Sequence, residues 1–170
     1  MFWKCSDITK IDLSNFKTSQ VTEMNAMFAY CSSLTSINLS NLNTLKVLSM
    51  NWMFAYCSSL TSLDISNYQT AEVLIMNSMF AGCSLLTSLD LSRFETSRVY
   101  NMIQMFQDCS SLTSLDLSYF ITPSVTKMSN MFQGCAKLEY IIINYNKSLY
   151  KTIIFLKKTK NIFIQFFKLK

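Results

Sequence analysis

Six cysteines carry the most reactive side chains in this sequence. They stand at positions 5, 31, 57, 83, 109 and 135, 26 residues apart every time. In such register they raise two chemistries, disulfide formation and thiolate metal binding. Neighbouring parallel strands lie about 4.8 Å apart and disulfide Cα separations begin near about 4.4 Å, so distance alone permits pairing. Side chains in a ladder point the same way, however, and each cysteine sits in an otherwise apolar stripe, where a thiol behaves as a small hydrophobe. Buried free thiols are therefore expected. A zinc site would need clustered pairs such as C-x-x-C, and the sequence has none. Histidine is absent, which removes the commonest general base and the commonest transition-metal ligand.

A second column could do chemistry through charge: Asp12, Asn38, Asp64, Asp90 and Asp116 recur at the same period. Ser14, Ser40, Ser66, Ser92 and Ser118 follow them, and Ser36, Ser62, Ser88 and Ser114 precede all but the first. Stacked carboxylates repel, which raises their proton affinity or invites a divalent cation. Solvated carboxylates buffered by serine are the expected state, with no metal site. Gly82 and Gly134 stand alone, so there is no phosphate-cradling loop. Without histidine, nucleophile–base pairs or an irregular site among the copies, neither an enzyme nor a cofactor is expected.

These columns imply the elements that position them. The copies begin at Met1, Met27, Met53, Met79 and Met105 with a partial sixth from Met131, about five and a half units of 26 residues. Each contains an L-x-x-L-x-L run, from Ile8-Ile11-Leu13 through Leu60-Leu63-Ile65 to Leu138-Ile141-Ile143. Alternation at the end of each run is the period of a strand, and a fixed period of this length marks a leucine-rich solenoid. Six short parallel strands are predicted. An apolar position and a threonine follow each strand, as in Phe16 and Thr18 or Tyr68 and Thr70, and turn the corner. Val21, Met24, Met27, Phe28 and Cys31 then recur at intervals of 3, 3, 1 and 3, spacing that predicts one or two helical turns capped by the threonine-serine pair. The methionine and phenylalanine columns are core. The fold class is thus an α/β repeat, with parallel strands on one face and short helical turns on the return side. One unit cannot offset the entropy of ordering its own backbone, so the copies need one another.

Residues 1–140 carry 8 basic and 10 acidic side chains, whereas residues 141–170 carry 7 basic and none acidic. The repeat pattern fades after residue 144, dividing the chain into a repeat domain, 1–144, and a basic apolar tail, 145–170. Three readings of the tail are open: a cap over the last repeat, a membrane-surface segment, or a stretch without selected structure. No run of about 18 apolar residues occurs, and Met1 to Asp7 lacks the apolar core of a signal peptide. Met1-Phe2 aligns with Met27-Phe28, in the middle of a unit, which leaves room for a leader and earlier copies ahead of it. Asn146-Lys147-Ser148 is a glycosylation sequon, informative only in a secreted protein. Tail lysines such as Lys157, Lys158 and Lys160 are too weak a signal to expect a nucleic-acid partner.

The units MFAYCSSLTSLDISNYQT (53–70) and CSSLTSLDLSYF (109–120) resemble the BspA-like leucine-rich repeats of surface proteins, with consensus MFxxCxxLxxLDLSxFxTxxVxxM. The resemblance covers residues 1 to about 144. It implies a curved, right-handed parallel-strand solenoid, cell-surface or secreted location, and binding to host, matrix or neighbouring-cell proteins. It transfers no catalytic residues. Departures include Asn38 for aspartate, and Arg93 and Tyr119 for asparagine.

The expected function is a non-enzymatic protein-binding or adhesion module whose partner is a protein. The alternative is a structural spacer, or a fragment of a larger surface protein. The candidate contact surface is the concave outward row: Lys10, Asp12, Ser36, Asn38, Ser62, Asp64, Ser88, Asp90, Ser114, Asp116 and Tyr140. Membrane contact is expected only through the tail.

Overall fold

The computed structural model describes residues 1–144, 149–154 and 162–167. Each 26-residue copy lies against the next and shares one apolar core with it. The phenylalanine column is a stack: Phe2, Phe28, Phe54, Phe80, Phe106 and Phe132 face one another at ring separations of 5.4–6.0 Å. Leucines of the L-x-x-L-x-L runs, the methionine column and the cysteines fill the space around that stack.

The return side differs from the helical expectation. Residues 21–34 form successive turns, and among the described residues only 149–154 are helical. Met24, Ala26, Phe28 and Tyr30 donate their N–H groups to the carbonyls of Ser49, Asn51, Met53 and Ala55 in the next copy, at 2.7–2.9 Å. The intervening amides of Met27, Ala29 and Cys31 close short turns onto Met24, Ala26 and Phe28. A helix would consume all these amides internally. Here alternate ones cross to the neighbour, and the backbone achieves this by adopting positive φ twice per copy, at Ala26 (52°) and Tyr30 (63°) and their counterparts. Left-handed residues cannot continue a right-handed helix. The pattern repeats down the chain to Gln133, with parallel bridges linking Glu23, Ser49, Ile75, Asn101 and Lys127.

Only two of the six expected motif strands pair as strands. β1 (Ser114–Leu117) and β2 (Tyr140–Asn144) are parallel, and β3 (Phe163–Phe167), from the tail, adds to β2 in the order β1-β2-β3. β2 reads YIIIN, rich in branched residues that favour strands; the earlier runs carry serine, threonine and aspartate between their leucines. Those earlier runs keep the alternating burial, with Leu60, Leu63 and Ile65 inward and Ser62 and Asp64 outward. They exchange few main-chain bonds.

Two threonine clamps illustrate how the corners hold. Thr44 Oγ1 donates to the Gln69 carbonyl at 3.0 Å and accepts the Gln69 N–H at 2.7 Å; Thr70 does the same to Glu95. The threonine therefore joins copies, and its own carbonyl takes the N–H of the valine three residues on. The expected capping of a helix has no helix to act on. Within the tail, Leu149, Ile153 and Ile162 are buried in the same core as the repeats. The sequon and lysines 157, 158 and 160 lie outside the described residues.

Candidate functional site

Every residue of the candidate row is exposed from Lys10 and Asp12 through Asp116, and Tyr140 is half-buried. The run forces this: leucine or isoleucine on either side is drawn inward, and the intervening residue must face out. Parallel register sets Ser114 beside Tyr140 and Asp116 beside Ile142. It also places Phe163 beside Tyr140, their rings stacked at 5.3 Å, with Phe163 64% exposed. The row thus ends in an aromatic pair. Reading the sequence missed Phe163 because the tail shares no leucine register with the copies.

The acidic column acts first on its own backbone. Oδ1 of Asp12, Asp64, Asp90 and Asp116 accepts the N–H of the serine two residues on, at 2.8–3.0 Å, and Asn38 serves Ser40 identically. An amide or a carboxylate supplies the same oxygen, which explains the asparagine. Bonds from the same serines, the hydroxyl foremost at Asp64 and the N–H foremost at Asp12 and Asp90, hold these three carboxyls below the ordinary aspartate range. Repulsion along the column does not raise the proton affinity of these three carboxyls. For Asp90, repulsion from Asp64 is the weakest contribution, outweighed by Ser92 and by Arg93. No group of three or more histidine, cysteine, aspartate or glutamate side chains suited to a metal occurs among the described residues.

All six cysteines are free thiols, five of them buried. Each buried thiol donates to the phenylalanine carbonyl 29 residues earlier, as Cys57 does to Phe28 at 3.0 Å and Cys109 to Phe80 at 3.1 Å. That carbonyl also accepts an amide of its own copy, Cys31 N–H in the case of Phe28. A thiol here fills space and satisfies a lone pair. Burial pushes the Cys57 thiol up to about 12 and Cys83 and Cys109 upward as well, so thiolate chemistry is suppressed.

A second surface was not anticipated. Tyr30, Trp52 and Tyr56 gather outside the main core over Ala29, Ala55 and Ala81, with Tyr30 and Tyr56 stacked at 4.7 Å. Their columns are the left-handed positions of the turns. The signal available was the aromatic type of those residues between apolar neighbours. Gly82 follows Tyr56 in its column, with φ of 72°, and an added Cβ would come within 2.5 Å of the Tyr56 ring.

Comparison with known proteins places this geometry. A family described as Mycoplasma protein of unknown function, DUF285, matches residues 1–114 and 61–163, together nearly the whole chain. The chain belongs to that family. Its matched segments overlap, as tandem copies allow, and the second extends through the tail to the start of β3. No protein with a curated description matches. A crystal structure of a leucine-rich repeat protein from Bacteroides ovatus is similar over 98% of this chain, with a TM-score of 0.61 and 20% identity. The chain spans 38% of that protein's length. This likeness establishes a leucine-rich repeat fold for the family member described here, and the resemblance to BspA-like repeats holds. No helix among the described residues is long and apolar enough to cross a membrane.

Proposed function

We propose that this chain is a non-enzymatic binding or adhesion module, built as a right-handed solenoid of about five and a half units. A protein partner lies against its concave row from Lys10 to Tyr140. The observation that carries this reading is the end of that row, where repeated small polar groups give way to the Tyr140–Phe163 pair. Aromatic residues dominate binding energy at protein interfaces, and repeated serine and aspartate suit a weaker, multivalent contact beside them. Residues 149–154 and 162–167 cap the stack in this reading, supported by the burial of Leu149, Ile153 and Ile162. Ending the chain at residue 148 should then lower the melting temperature sharply; an unchanged melt would rule the cap out.

The test is surface plasmon resonance of the full chain over immobilised matrix proteins such as fibronectin and collagen. Saturable binding is expected, weakened at least about tenfold by Tyr140→Ala with Phe163→Ala. Binding unaffected by those changes would move the interface elsewhere. Absence of saturable binding to every protein would favour a spacer, a reading supported by the use of each Asp Oδ1 inside its own turn.

A further inference from the structure

Asparagine is concentrated at the end of the L-x-x-L-x-L run and the corner after it in the second and third copies, and each of four amides there is pinned by one end. Asn38 Oδ1 accepts the Ser40 N–H at 3.0 Å and Asn43 Oδ1 accepts the Leu45 N–H at 3.1 Å, so both present their Nδ2 donors. Asn41 Nδ2 donates to the Ser14 carbonyl at 3.5 Å, and Asn67 Nδ2 to the Leu39 carbonyl at 3.2 Å, so both present Oδ1 acceptors. All four side chains are exposed. Two adjoining cavities of about 370 and about 300 Å³, sharing Ser40 and Asn67, lie along them. In the next two copies Arg93 and Tyr119 take the column of Asn41 and Asn67, and Glu95 and Ile121 take the column of Asn43.

We propose that this groove holds the main chain of an extended peptide, with Asn38 and Asn43 donating to its carbonyls and Asn41 and Asn67 accepting its N–H groups. The inference rests on the protein-binding reading and locates the contact within it. A peptide unit carries one donor and one acceptor, matching two donors and two acceptors whose orientation is fixed before binding, which lowers the entropic cost of association. A sugar offers hydroxyls of both kinds but also an apolar face. No aromatic ring lines the groove, and Leu39 and Leu42 are only 2% exposed. Asp64 is the one charged group lining either cavity. Its Oδ1 is held by the Ser66 N–H at 3.0 Å, leaving Oδ2 to select a lysine or arginine side chain.

The experiment is NMR titration of the isotope-labelled full chain with the capped peptide acetyl-Thr-Lys-Thr-Lys-Thr-amide, and separately with maltotriose. The variant is Asn38→Asp with Asn43→Asp. Aspartate keeps the Oδ1 that each turn needs, as Asp64 and Asp90 do in the column of Asn38, and removes both donors. It also adds negative charge, which alone would tighten a basic peptide. The expected result is saturable movement of the Asn38 and Asn43 side-chain NH2 resonances, with affinity at least about tenfold weaker in the variant. Equal or tighter binding by the variant would overturn the proposal, as would maltotriose moving the same resonances. Shifts confined to the Ser88, Ser114 and Tyr140 positions would overturn the groove and leave the wider row standing. An unshifted spectrum overturns the groove, and the matrix-protein assay then decides the wider reading by itself.

Discussion

Each copy in this molecule has two long sides that bury comparable apolar residues yet are joined to their neighbours differently. On the turn side, four amides per copy cross to the next copy, as from Met50, Trp52, Phe54 and Tyr56 to Ile75, Asn77, Met79 and Ala81. On the other side, the run Leu60 to Ile65 makes no main-chain hydrogen bond with the run Leu34 to Leu39. Burial alternates there as a strand would, but the runs pair as strands only in the last copies, where β1, β2 and β3 lie together, while the first two runs share a single bond from the Thr35 N–H to the Thr9 carbonyl at 3.5 Å. Hydrophobic alternation therefore decides which side chains go inside; it does not decide where the backbone finds its partners. In this fold the irregular-looking side is the ladder, and the regular-looking side is largely packed by side chains.

The comparison can be broken most forcefully at the aromatic stack. Phe54 lies between Phe28 at 5.4 Å and Phe80 at 6.0 Å, beneath the turn ladder. Phe54→Ala should cost about 4 kcal/mol, and Leu63→Ala on the opposite side about 2 to 3 kcal/mol, by thermal or urea unfolding. Equal losses, or a greater one at Leu63, would say that the two sides contribute alike. Next in size is Thr70→Val, which keeps the shape and removes a hydroxyl bonded to both main-chain groups of Glu95. A loss of about 2 kcal/mol is expected, because two part-buried main-chain groups lose their partner, while Ser66→Ala on the exposed row should stay within about 0.5 kcal/mol.

Tyr68→Phe sharpens the contrast in the opposite direction. The Tyr68 hydroxyl is buried without a hydrogen-bond partner, in a column that otherwise holds phenylalanine or leucine. Removing it should stabilise the fold by about 1 kcal/mol; a destabilised variant would mean that the hydroxyl has a partner after all. The smallest effect is acid sensitivity of the outward row. Asp12, Asp64 and Asp90 are held below their ordinary value of 3.8 in the folded chain, chiefly by bonds from the serine two residues on. Their stabilisation is complete above that value and is lost as pH falls through the lower folded values. Replacing all three with asparagine, as nature has at position 38, should flatten the melting temperature between pH 4 and more acid solution. An unchanged acid slope would assign it to other carboxylates.

Much of this was legible in the residues. The period, the core columns and the exposed row follow from one aligned unit, because burial depends on side-chain type. The turn ladder did not follow, since Val21, Met24, Met27, Phe28 and Cys31 are spaced as either a helix or a chain of short turns would space them. Its left-handed positions are occupied by Ala26, Tyr30, Trp52 and Tyr56, with glycine only at Gly82 and Gly134, so the usual mark of positive φ is missing in the early copies. β3 was hidden because Phe163 to Phe167 carries no leucine register. The asparagine corner was visible as letters, but its alternating pinned ends required the partners of each amide to be known.

Native-state amide hydrogen exchange tests the central claim most directly. If the turn side is the ladder, the amides of Met50, Trp52, Phe54, Tyr56, Met76, Ser78, Phe80 and Gly82 will be among the slowest to exchange, and those of Ser62, Leu63 and Asp64 will exchange orders of magnitude faster. Equal protection on both sides, or slower exchange along Ser62 to Asp64, would contradict the account and restore a continuous sheet on the leucine side.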